Sequence, residues 1–365
     1  MWLYLLISGT VMIWRGIIPL KIRKSWKILL SFAVLIIAGK FYVLRLFGGR
    51  TLFNPELPAW VLLPFTWLFA VQMFFTLWLI FMEAYYWILG KRLGMVRSRW
   101  LISGLVFSAL LVSYGMYEGM KTPEIVRKEL KFRNLPAGLD GLTVAHLSDI
   151  HVDPFTGAEK VRKIVDLNNS LKPDLVVITG DFVDGRANVR SKDLQEIQRL
   201  ESRFGVFGVP GNHEYYSGYN EWMKLIRSYG VRMLVNRHEM ILPELALGGV
   251  SDPAAKKRGG ALPDVEKAFM GTAPGTFKIL LAHQPKLAPE AAEAGVDLQL
   301  SGHTHGGMIR GLDLLVGVFN FGMYSGEYDF NGTKVFISNG TGIWNGFPLR
   351  LGHRSEIVLI TLKKE

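Results

Sequence analysis

The sequence predicts a mixed α/β domain that follows an apolar part of the chain. After residue 142, short apolar and β-branched runs alternate with helical segments, a pattern typical of α/β folds. Before residue 120 apolar residues dominate. The whole chain of 365 residues contains 49% hydrophobic residues and has a mean hydropathy of +0.22. Such values indicate a membrane part joined to a soluble part.

The apolar part contains four stretches that reach or approach the length of a membrane span. About 20 residues are needed to cross roughly 30 Å of hydrocarbon. The stretches cover residues 2–20, 28–47, 60–89 and 100–117. The first has no basic segment before it and no small-residue cleavage site, so we expect a retained span rather than a signal peptide. We therefore predict a four-helix transmembrane domain over residues 1–119, a linker over 120–141 and a soluble domain over 142–365.

Basic residues predict the orientation of the spans. The first 120 residues contain twelve lysines and arginines against three glutamates, so they hold +9 of the total net charge of +11. Lysine and arginine near span ends tend to stay cytoplasmic. They fill the first loop (Lys21, Arg23, Lys24, Lys27) and the third (Lys91, Arg92, Arg97, Arg99), whereas the second has only Arg45 and Arg50. We expect a multi-pass protein of the cell membrane with its soluble domain on the extracytoplasmic side, although the cations between Lys121 and Arg133 favour the opposite side.

The remaining composition excludes two classes of function. Only about +2 of the net charge is left for the soluble domain, so nucleic acid is not an expected partner. Cysteine is absent, which excludes disulfides, thiolate ligands and cysteine nucleophiles.

The soluble domain is predicted to mix parallel and antiparallel strands. Helical patterns cover residues 158–171, 192–202 and 220–229. Later strands follow one another more closely, over residues 232–235, 240–247, 334–338 and 356–362. This spacing favours a mixed α/β core over a purely parallel sheet.

Five short polar blocks follow apolar runs in this domain. They read D-I-H from Asp149, G-D-F-V-D from Gly180, G-N-H-E from Gly211, A-H-Q from Ala282 and G-H-T-H from Gly302. Each block lies where a strand is predicted to end, which is where α/β folds place their chemistry. Carboxylates, an amide oxygen and imidazoles suit Mn, Fe or Zn better than Ca or a structural Zn site.

Each block alone has an ordinary structural explanation. An aspartate after a strand most often caps a turn, and histidines beside glycine usually mark one. Together, however, the first three blocks recur about 30 residues apart, roughly one βα unit. We therefore expect their side chains at neighbouring strand ends, with the two later histidine-bearing blocks completing one site.

This arrangement resembles the calcineurin-like metallophosphoesterase family from about Leu142 to the C-terminus. The tail from Asn339 to Arg350 is similar to that of a membrane-linked bacterial branch of the family. The resemblance implies a four-layer αββα sandwich that binds two divalent metal ions, Mn, Fe or Zn. It implies that one ion is held by Asp149, His151, Asp181 and His305, and the other by Asp181, Asn212, His283 and His303.

Two further roles follow from the same mapping. His213, next to a ligand, is expected to protonate the leaving oxygen as the general acid. Asp184 is expected to orient the His213 imidazole. One departure concerns the second motif, because protein phosphatases continue it with Asp-Arg-Gly and this chain has Gly185 in place of the arginine. Protein phosphatase activity is therefore not expected.

The expected function is a membrane-anchored phosphoesterase that cleaves a phosphodiester or pyrophosphate. Anchoring raises the effective concentration of a substrate in the same membrane, which favours an envelope lipid or lipid precursor. One alternative is a pyrophosphate hydrolase of a UDP-2,3-diacylglucosamine on the cytoplasmic face. Another is a catalytically silent receptor or scaffold, which would predict missing ligands. The basic run Lys256, Lys257 and Arg258 fits either an anion-steering loop or a solvated one.

Overall fold

A computed structural model describes residues 2–48, 56–89 and 97–365 of the chain. The chain divides into two compact units. The first comprises Met1–Tyr117 with Gly346–Pro348, and the second comprises Glu118–Asn345 with Leu349–Glu365. Three of the cations used to predict the orientation, Arg50, Lys91 and Arg92, lie outside the described residues.

The first unit is helical. Its helices are α1 (Trp2–Val11), continued by a π-helical segment (Met12–Ile17), α2 (Lys24–Ala38), α3 (Lys40–Gly48), α4 (Ala59–Leu89) and α5 (Arg97–Met120). Two helical stretches, Ala59–Ile88 and Ser98–Met120, are long and apolar enough to cross a membrane. The helices α2 and α3 would form a third span if counted together, but they meet at a bend of 77°. The predicted number of four spans stays a prediction, because the first apolar helix, Leu3–Ile17, is shorter than a span.

Polar side chains join the helices of this unit. The Gln72 amide in α4 donates to the Ser8 hydroxyl of α1 at 2.9 Å and to the Val34 carbonyl of α2 at 3.2 Å. Arg15 pairs with Glu83 at 3.0 Å. In an apolar medium such bonds replace water for groups that would otherwise be unsatisfied.

The second unit contains two mixed six-stranded sheets. The first has the strand order β1-β12-β2-β3-β4-β5 and the second β10-β11-β9-β8-β7-β6. The strands of the first sheet are β1 (Glu124–Phe132), β2 (Thr143–Leu147), β3 (Leu175–Thr179), β4 (Val206–Val209), β5 (Arg232–Met233) and β12 (Glu356–Lys364). Those of the second are β6 (Arg237–Leu242), β7 (Leu245–Gly249), β8 (Phe277–Leu281), β9 (Leu298–Ser301), β10 (Gly326–Phe330) and β11 (Thr333–Ile337).

Seven helices accompany these sheets in the described part of the unit. They are α6 (Ala158–Ser170), α7 (Ala187–Leu194), α8 (Asn212–Ser217), α9 (Tyr219–Ser228), α10 (Val265–Ala268), α11 (Ala288–Glu293) and α12 (Asp313–Val318). The helix α6 shows why they pack as they do, since Val161, Ile164, Val165 and Asn168 recur at helical spacing and are all buried.

Apolar side chains fill the space between the two sheets. Val177 and Phe207 of the first sheet share one buried cluster with Ile279 and Leu300 of the second. The opposite face of the first sheet packs on the helices α6, α7 and α9, and that of the second sheet packs on α10 and α11. The strand β3 is buried at all five positions, which explains its continuous apolar run.

The structure differs from the sequence-based expectations at three elements. Residues 124–132, expected in a linker, form β1, which pairs in parallel with β12 over nine residues. The strand expected over 240–247 is instead the hairpin of β6 and β7, because Pro243 lies in the turn between them. The helix expected over 192–202 begins earlier as α7 and continues as a 3₁₀ segment from Gln195.

Candidate metal centre

The five polar blocks all lie just beyond strand ends. Asp149 follows β2, Asp181 follows β3, and Asn212 begins α8 after β4. These three strands pair in parallel, so their carboxyl ends meet at one edge of the first sheet. In the second sheet, His283 follows β8 and His303 follows β9. These two strands also pair in parallel.

Five of the predicted ligands have an unusual backbone. Asp149, His151, Asp181, His303 and His305 have φ angles of 52°, 49°, 52°, 69° and 49°. This left-handed region is uncommon for residues other than glycine, and strain of this kind collects at functional sites. This conformation occurs in three of the five polar blocks. No sequence pattern signals it.

One group of side chains joins the first and last blocks. The His151 and His305 Nε2 atoms lie 3.1 Å apart. The His305 Nε2 is 3.4 Å from the Asp149 carboxylate. Asp149, His151 and His305 are buried, and their ligand atoms lie within 4.8 Å of one another. This group contains three of the four ligands that the resemblance implies for the first ion.

A second group joins the middle blocks. The His283 Nε2 lies 3.1 Å from the Asp181 carboxylate and 3.1 Å from the Asn212 amide oxygen. The His303 Nδ1 is 3.2 Å from the His283 Nε2. Asp181 also lies 3.8 Å from the His151 Nε2, so its carboxylate stands between the two groups. The structure therefore brings all seven predicted ligands into one region.

The residues present fit divalent metal ions. Histidine nitrogens and carboxylate oxygens at these separations form a buried donor set suited to such ions. The His283 Nδ1 hydrogen-bonds the Thr179 carbonyl at 2.7 Å, so this nitrogen carries the proton. The Nε2 lone pair therefore points into the group, as a metal ligand requires.

Asp184 lies between two imidazoles rather than beside one. One of its oxygens is 3.0 Å from the His151 Nδ1, and the other contacts the His213 Nδ1. Burial alone would raise the pKa of Asp184, but the two imidazoles outweigh burial and lower this pKa to about 2. Burial alone would lower the pKa of His213, but the carboxylates of Asp184 and Asp181 raise it to about 9.

The sequence alone assigned no role to Glu214. In the structure, its side chain connects the second and third polar blocks. Its carboxylate accepts hydrogen bonds from the backbone N–H groups of Asp181 at 3.0 Å, Phe182 at 2.8 Å and Gly211 at 2.7 Å. A side chain at Gly211 would collide with Asp181, so this position requires glycine. The sequence carried one signal here, since Glu214 stands two residues after the predicted ligand Asn212, and a buried glutamate needs several hydrogen-bond donors.

Arg350 is another residue to which the sequence alone assigned no role. It is fully buried and donates to the carbonyl oxygens of His305 at 3.2 Å and Gly342 at 2.8 Å. The neighbouring tail also supports the site, since the Gly342 N–H donates to the Asp149 carbonyl at 2.9 Å. The tail from 339 to 350 therefore braces the first ligand group through its backbone.

Comparison with known proteins identifies the class. The sequence profile of calcineurin-like phosphoesterases matches residues 142–307. The chain is 32% identical to a "Transmembrane protein with metallophosphoesterase domain" of Danio rerio, over 99% of this chain and 87% of that protein. It is 31% identical to the protein of the same name in Bos taurus, over 98% and 87% of the two chains. It is 34% identical to an uncharacterized metallophosphoesterase of Campylobacter jejuni, over 72% of this chain and 69% of that one.

The chain therefore belongs to the calcineurin-like phosphoesterase family, and it is a metal-dependent phosphoesterase. The predicted family and enzyme class are confirmed. The relatives come from vertebrates as well as bacteria, so they do not confirm the likeness to a bacterial branch. Two of them are named as transmembrane proteins, in keeping with the two apolar helices that are long enough to span a membrane.

Proposed function

We propose that seven side chains hold two divalent metal ions and that the enzyme hydrolyses a phosphodiester or pyrophosphate. Asp149, His151 and His305 would hold one ion, and Asn212, His283 and His303 the other, with Asp181 shared. The observation that supports this proposal is the position of the Asp181 carboxylate, 3.1 Å from His283 and 3.8 Å from His151. When bound, a pair of metal ions activates water and stabilises the charge that develops on the phosphoryl oxygens.

We propose that His213 donates the proton to the leaving oxygen. Its Nδ1 is held by Asp184, which leaves Nε2 as the nitrogen that faces the ligand groups, 3.9 Å from the Asp181 carboxylate. A leaving oxygen without a proton is a strong base, so a positioned acid lowers the barrier to its departure. Asp184 is a positioning residue, because its second oxygen also fixes the ring of His151.

The surroundings of His213 include an aromatic ring and a basic segment. The Tyr216 ring lies 5.4 Å from the His213 ring, between centroids. The 3₁₀ segment Pro253–Arg258 packs beside α8, the helix that begins at Asn212, so the basic run at the end of this segment lies near the site. We propose that Arg258 attracts the substrate phosphate, a role that Gly185 cannot perform.

We also propose a layered architecture for the enzyme unit and a placement in the membrane. The packing of helices on the outer faces of the two sheets supports a four-layer αββα sandwich. We propose a four-span anchor with an extracytoplasmic enzyme domain from the four apolar stretches and the basic loops of the sequence; the structure has two helices long enough to span a membrane and a bent pair that would make a third. A membrane anchor favours a lipid-linked substrate, since tethering raises its effective concentration.

Metal analysis and hydrolysis by the purified full chain test the proposed site. After chelation and reloading with Mn²⁺, we expect about two ions per chain by mass spectrometry and cleavage of bis-p-nitrophenyl phosphate. Asp181→Asn should lower both the bound metal and the rate, because this carboxylate faces both groups. The control His238→Gln, at a histidine that bonds the Ala268 carbonyl away from the site, should leave both unchanged.

Two results would contradict the proposal. A single ion per chain would remove the shared role of Asp181. Two ions without turnover of any diester, nucleotide sugar or phospholipid would favour the silent receptor or scaffold. Comparing those three substrate classes in one panel also distinguishes a lipid phosphodiesterase from a UDP-diacylglucosamine hydrolase.

A further inference from the structure

The segment after the last histidine block exposes a group of large apolar side chains. We call this group the α12 patch; it consists of Leu312, Leu314, Leu315, Val318, Phe319 and Phe321. The exposed fractions reach 66% for Leu314, 72% for Val318 and 74% for Phe319. Single exposed apolar residues are ordinary, but a contiguous group of this size marks an interaction surface.

The helix α12 exposes its apolar side chains, which is the reverse of what a surface helix does in water. Its buried positions are Asp313 and Gly317, and the buried residue just after it is Asn320, whereas its apolar side chains point outward. A surface helix in water shows the opposite arrangement, with an apolar stripe inside and polar residues outside. The exposed face of α12 therefore matches an apolar environment better than water.

Polar bonds hold α12 in this inverted orientation. The Asp313 carboxylate accepts from the N–H groups of Gly311 and Leu314, both at 2.8 Å, and bonds the His353 Nε2 at 2.9 Å. The Asn320 amide donates to the Val316 carbonyl at 3.0 Å. These hydrogen bonds fix the buried face of α12. Because that face is fixed, the apolar side chains on the opposite face stay exposed.

The patch adjoins the candidate metal centre. His305 is seven residues before Leu312, and a side chain at Gly307 would collide with the Asp313 backbone. The Thr304 hydroxyl donates to the Tyr324 carbonyl at 2.7 Å, which closes the segment onto the histidine block. Whatever covers the α12 patch therefore lies beside the proposed catalytic site.

The charge of this segment favours a lipid surface as the partner. Between Met308 and Tyr324 the one acidic residue is Asp313, which is buried, while Arg310 is exposed. Apolar and aromatic side chains next to a cation, without an exposed acid, are typical of segments that insert into the interface of an anionic bilayer.

A helix that can span a membrane is joined to the enzyme unit by a short connection. The helix α5, which is long and apolar enough to span a membrane, ends at Met120, and β1 of the enzyme unit begins at Glu124. Such a short connection keeps a membrane at high effective concentration around the enzyme unit. We propose that the α12 patch inserts into the surface of a lipid bilayer next to the candidate metal centre.

Spin labelling of the full chain tests this proposal without any assay of activity. The chain contains no cysteine, so Phe319→Cys creates a unique labelling site. The matched control is Met270→Cys, since Met270 is 72% exposed and apolar but lies outside the patch. Each labelled variant is reconstituted in vesicles of phosphatidylcholine and phosphatidylglycerol.

The accessibility of the label to two relaxing agents gives the result. At position 319 we expect more frequent collisions with oxygen, which concentrates in lipid, than with a water-soluble nickel chelate. At position 270 we expect the reverse. If Phe319→Cys fails to fold, Leu315→Cys offers a second exposed position in the patch, 58% exposed, where truncation leaves no cavity.

Two outcomes would overturn the proposal. Equal access of the nickel chelate at positions 319 and 270 would leave the patch in water. Broadening of the spectrum that disappears on dilution with unlabelled chain would mean that a second copy covers the patch. Neither outcome bears on phosphoester hydrolysis, so this test and that of the proposed function fail separately.

Discussion

At the scale of single residues, Asp184 links the two chemical roles proposed for the site. Its two oxygens contact His151, a proposed ligand, and His213, the proposed acid. A carboxylate that orients a histidine fixes which ring nitrogen faces the reaction. The alignment of the general acid is thus tied to the alignment of a metal ligand, although these residues lie 29 and 33 positions from Asp184.

Replacing the proposed acid should slow hydrolysis without removing metal. We expect His213→Ala to lower the rate of cleavage of a dialkyl phosphodiester by roughly 10²- to 10⁴-fold, because the strongly basic alkoxide leaving group loses its proton donor. Metal content should match that of the unmodified chain. Loss of a metal ion in His213→Ala would instead make this residue a ligand, and an unchanged rate would exclude it as the acid.

His146 should make stability depend on pH. It is fully buried, with its Nε2 2.8 Å from the Thr179 hydroxyl, and burial lowers its pKa from 6.5 to about 3. The neutral ring is therefore favoured in the folded state, so its stabilisation is complete above pH 6.5. This stabilisation is lost as the pH falls from 6.5 towards 3, because the unfolded chain then binds the extra proton.

Thermal unfolding of the full chain in detergent measures this effect against His146→Gln. Between about pH 6 and 4.5, the unmodified chain should lose roughly 1.4 kcal/mol of stability per pH unit more than the variant. Loss of metal on acidification affects both chains, so the comparison isolates one histidine. Parallel stability curves would mean that His146 is protonated in the folded state.

At the scale of elements, β1 shows that a charged stretch of sequence can form a strand when it pairs with another strand. Its sequence carries five charged residues among nine, which predicts a linker. In the structure it pairs with β12, and Leu130 and Phe132 enter the core between the sheets. An edge strand with charged outer positions is a common protection against unwanted pairing.

Truncating the core side chain of β1 should destabilise the enzyme unit. Leu130 is completely buried, so Leu130→Ala should cost about 2 to 5 kcal/mol through lost burial and the remaining cavity. We expect a lower thermal unfolding temperature of the full chain. The neighbouring exposed Lys131→Ala should change it little. Equal, small effects of the two substitutions would be the behaviour of a linker.

At the scale of the whole molecule, the number of spans determines whether the enzyme unit lies on the same side of the membrane as the N-terminus. Each span moves the chain to the other side of the membrane, so four spans place both ends on one side and three place them on opposite sides. This number depends on whether the short apolar helix Leu3–Ile17 crosses the membrane and on the bend of 77° between α2 and α3, because a bent pair is either one broken span or a re-entrant loop.

Cysteine labelling should locate both ends. In a chain without native cysteine, one cysteine is added at either end and treated with a membrane-impermeant maleimide on intact cells. We expect both ends to react, as four spans and the positive-inside tendency predict. Labelling after lysis controls for access. Reaction of neither end would place the enzyme in the cytoplasm and favour the UDP-diacylglucosamine alternative.

The sequence by itself determined the family, the enzyme class and the mixed α/β type of the enzyme unit. These follow from motifs of a few residues and from hydrophobic periodicity, which are local properties of the chain. Asp149 and His151, for example, were recognisable because their block follows an apolar run and recurs with four others.

Only the tertiary structure decided which distant groups meet. It brought Asp184 between two imidazoles, joined β1 to β12, placed Glu214 on three backbone donors and turned the apolar face of α12 outward. Each of these depends on contacts between segments far apart in the chain, whose free energies override local propensity. A charged stretch can thus become a strand, and an apolar helix can remain exposed, for reasons that no local pattern contains.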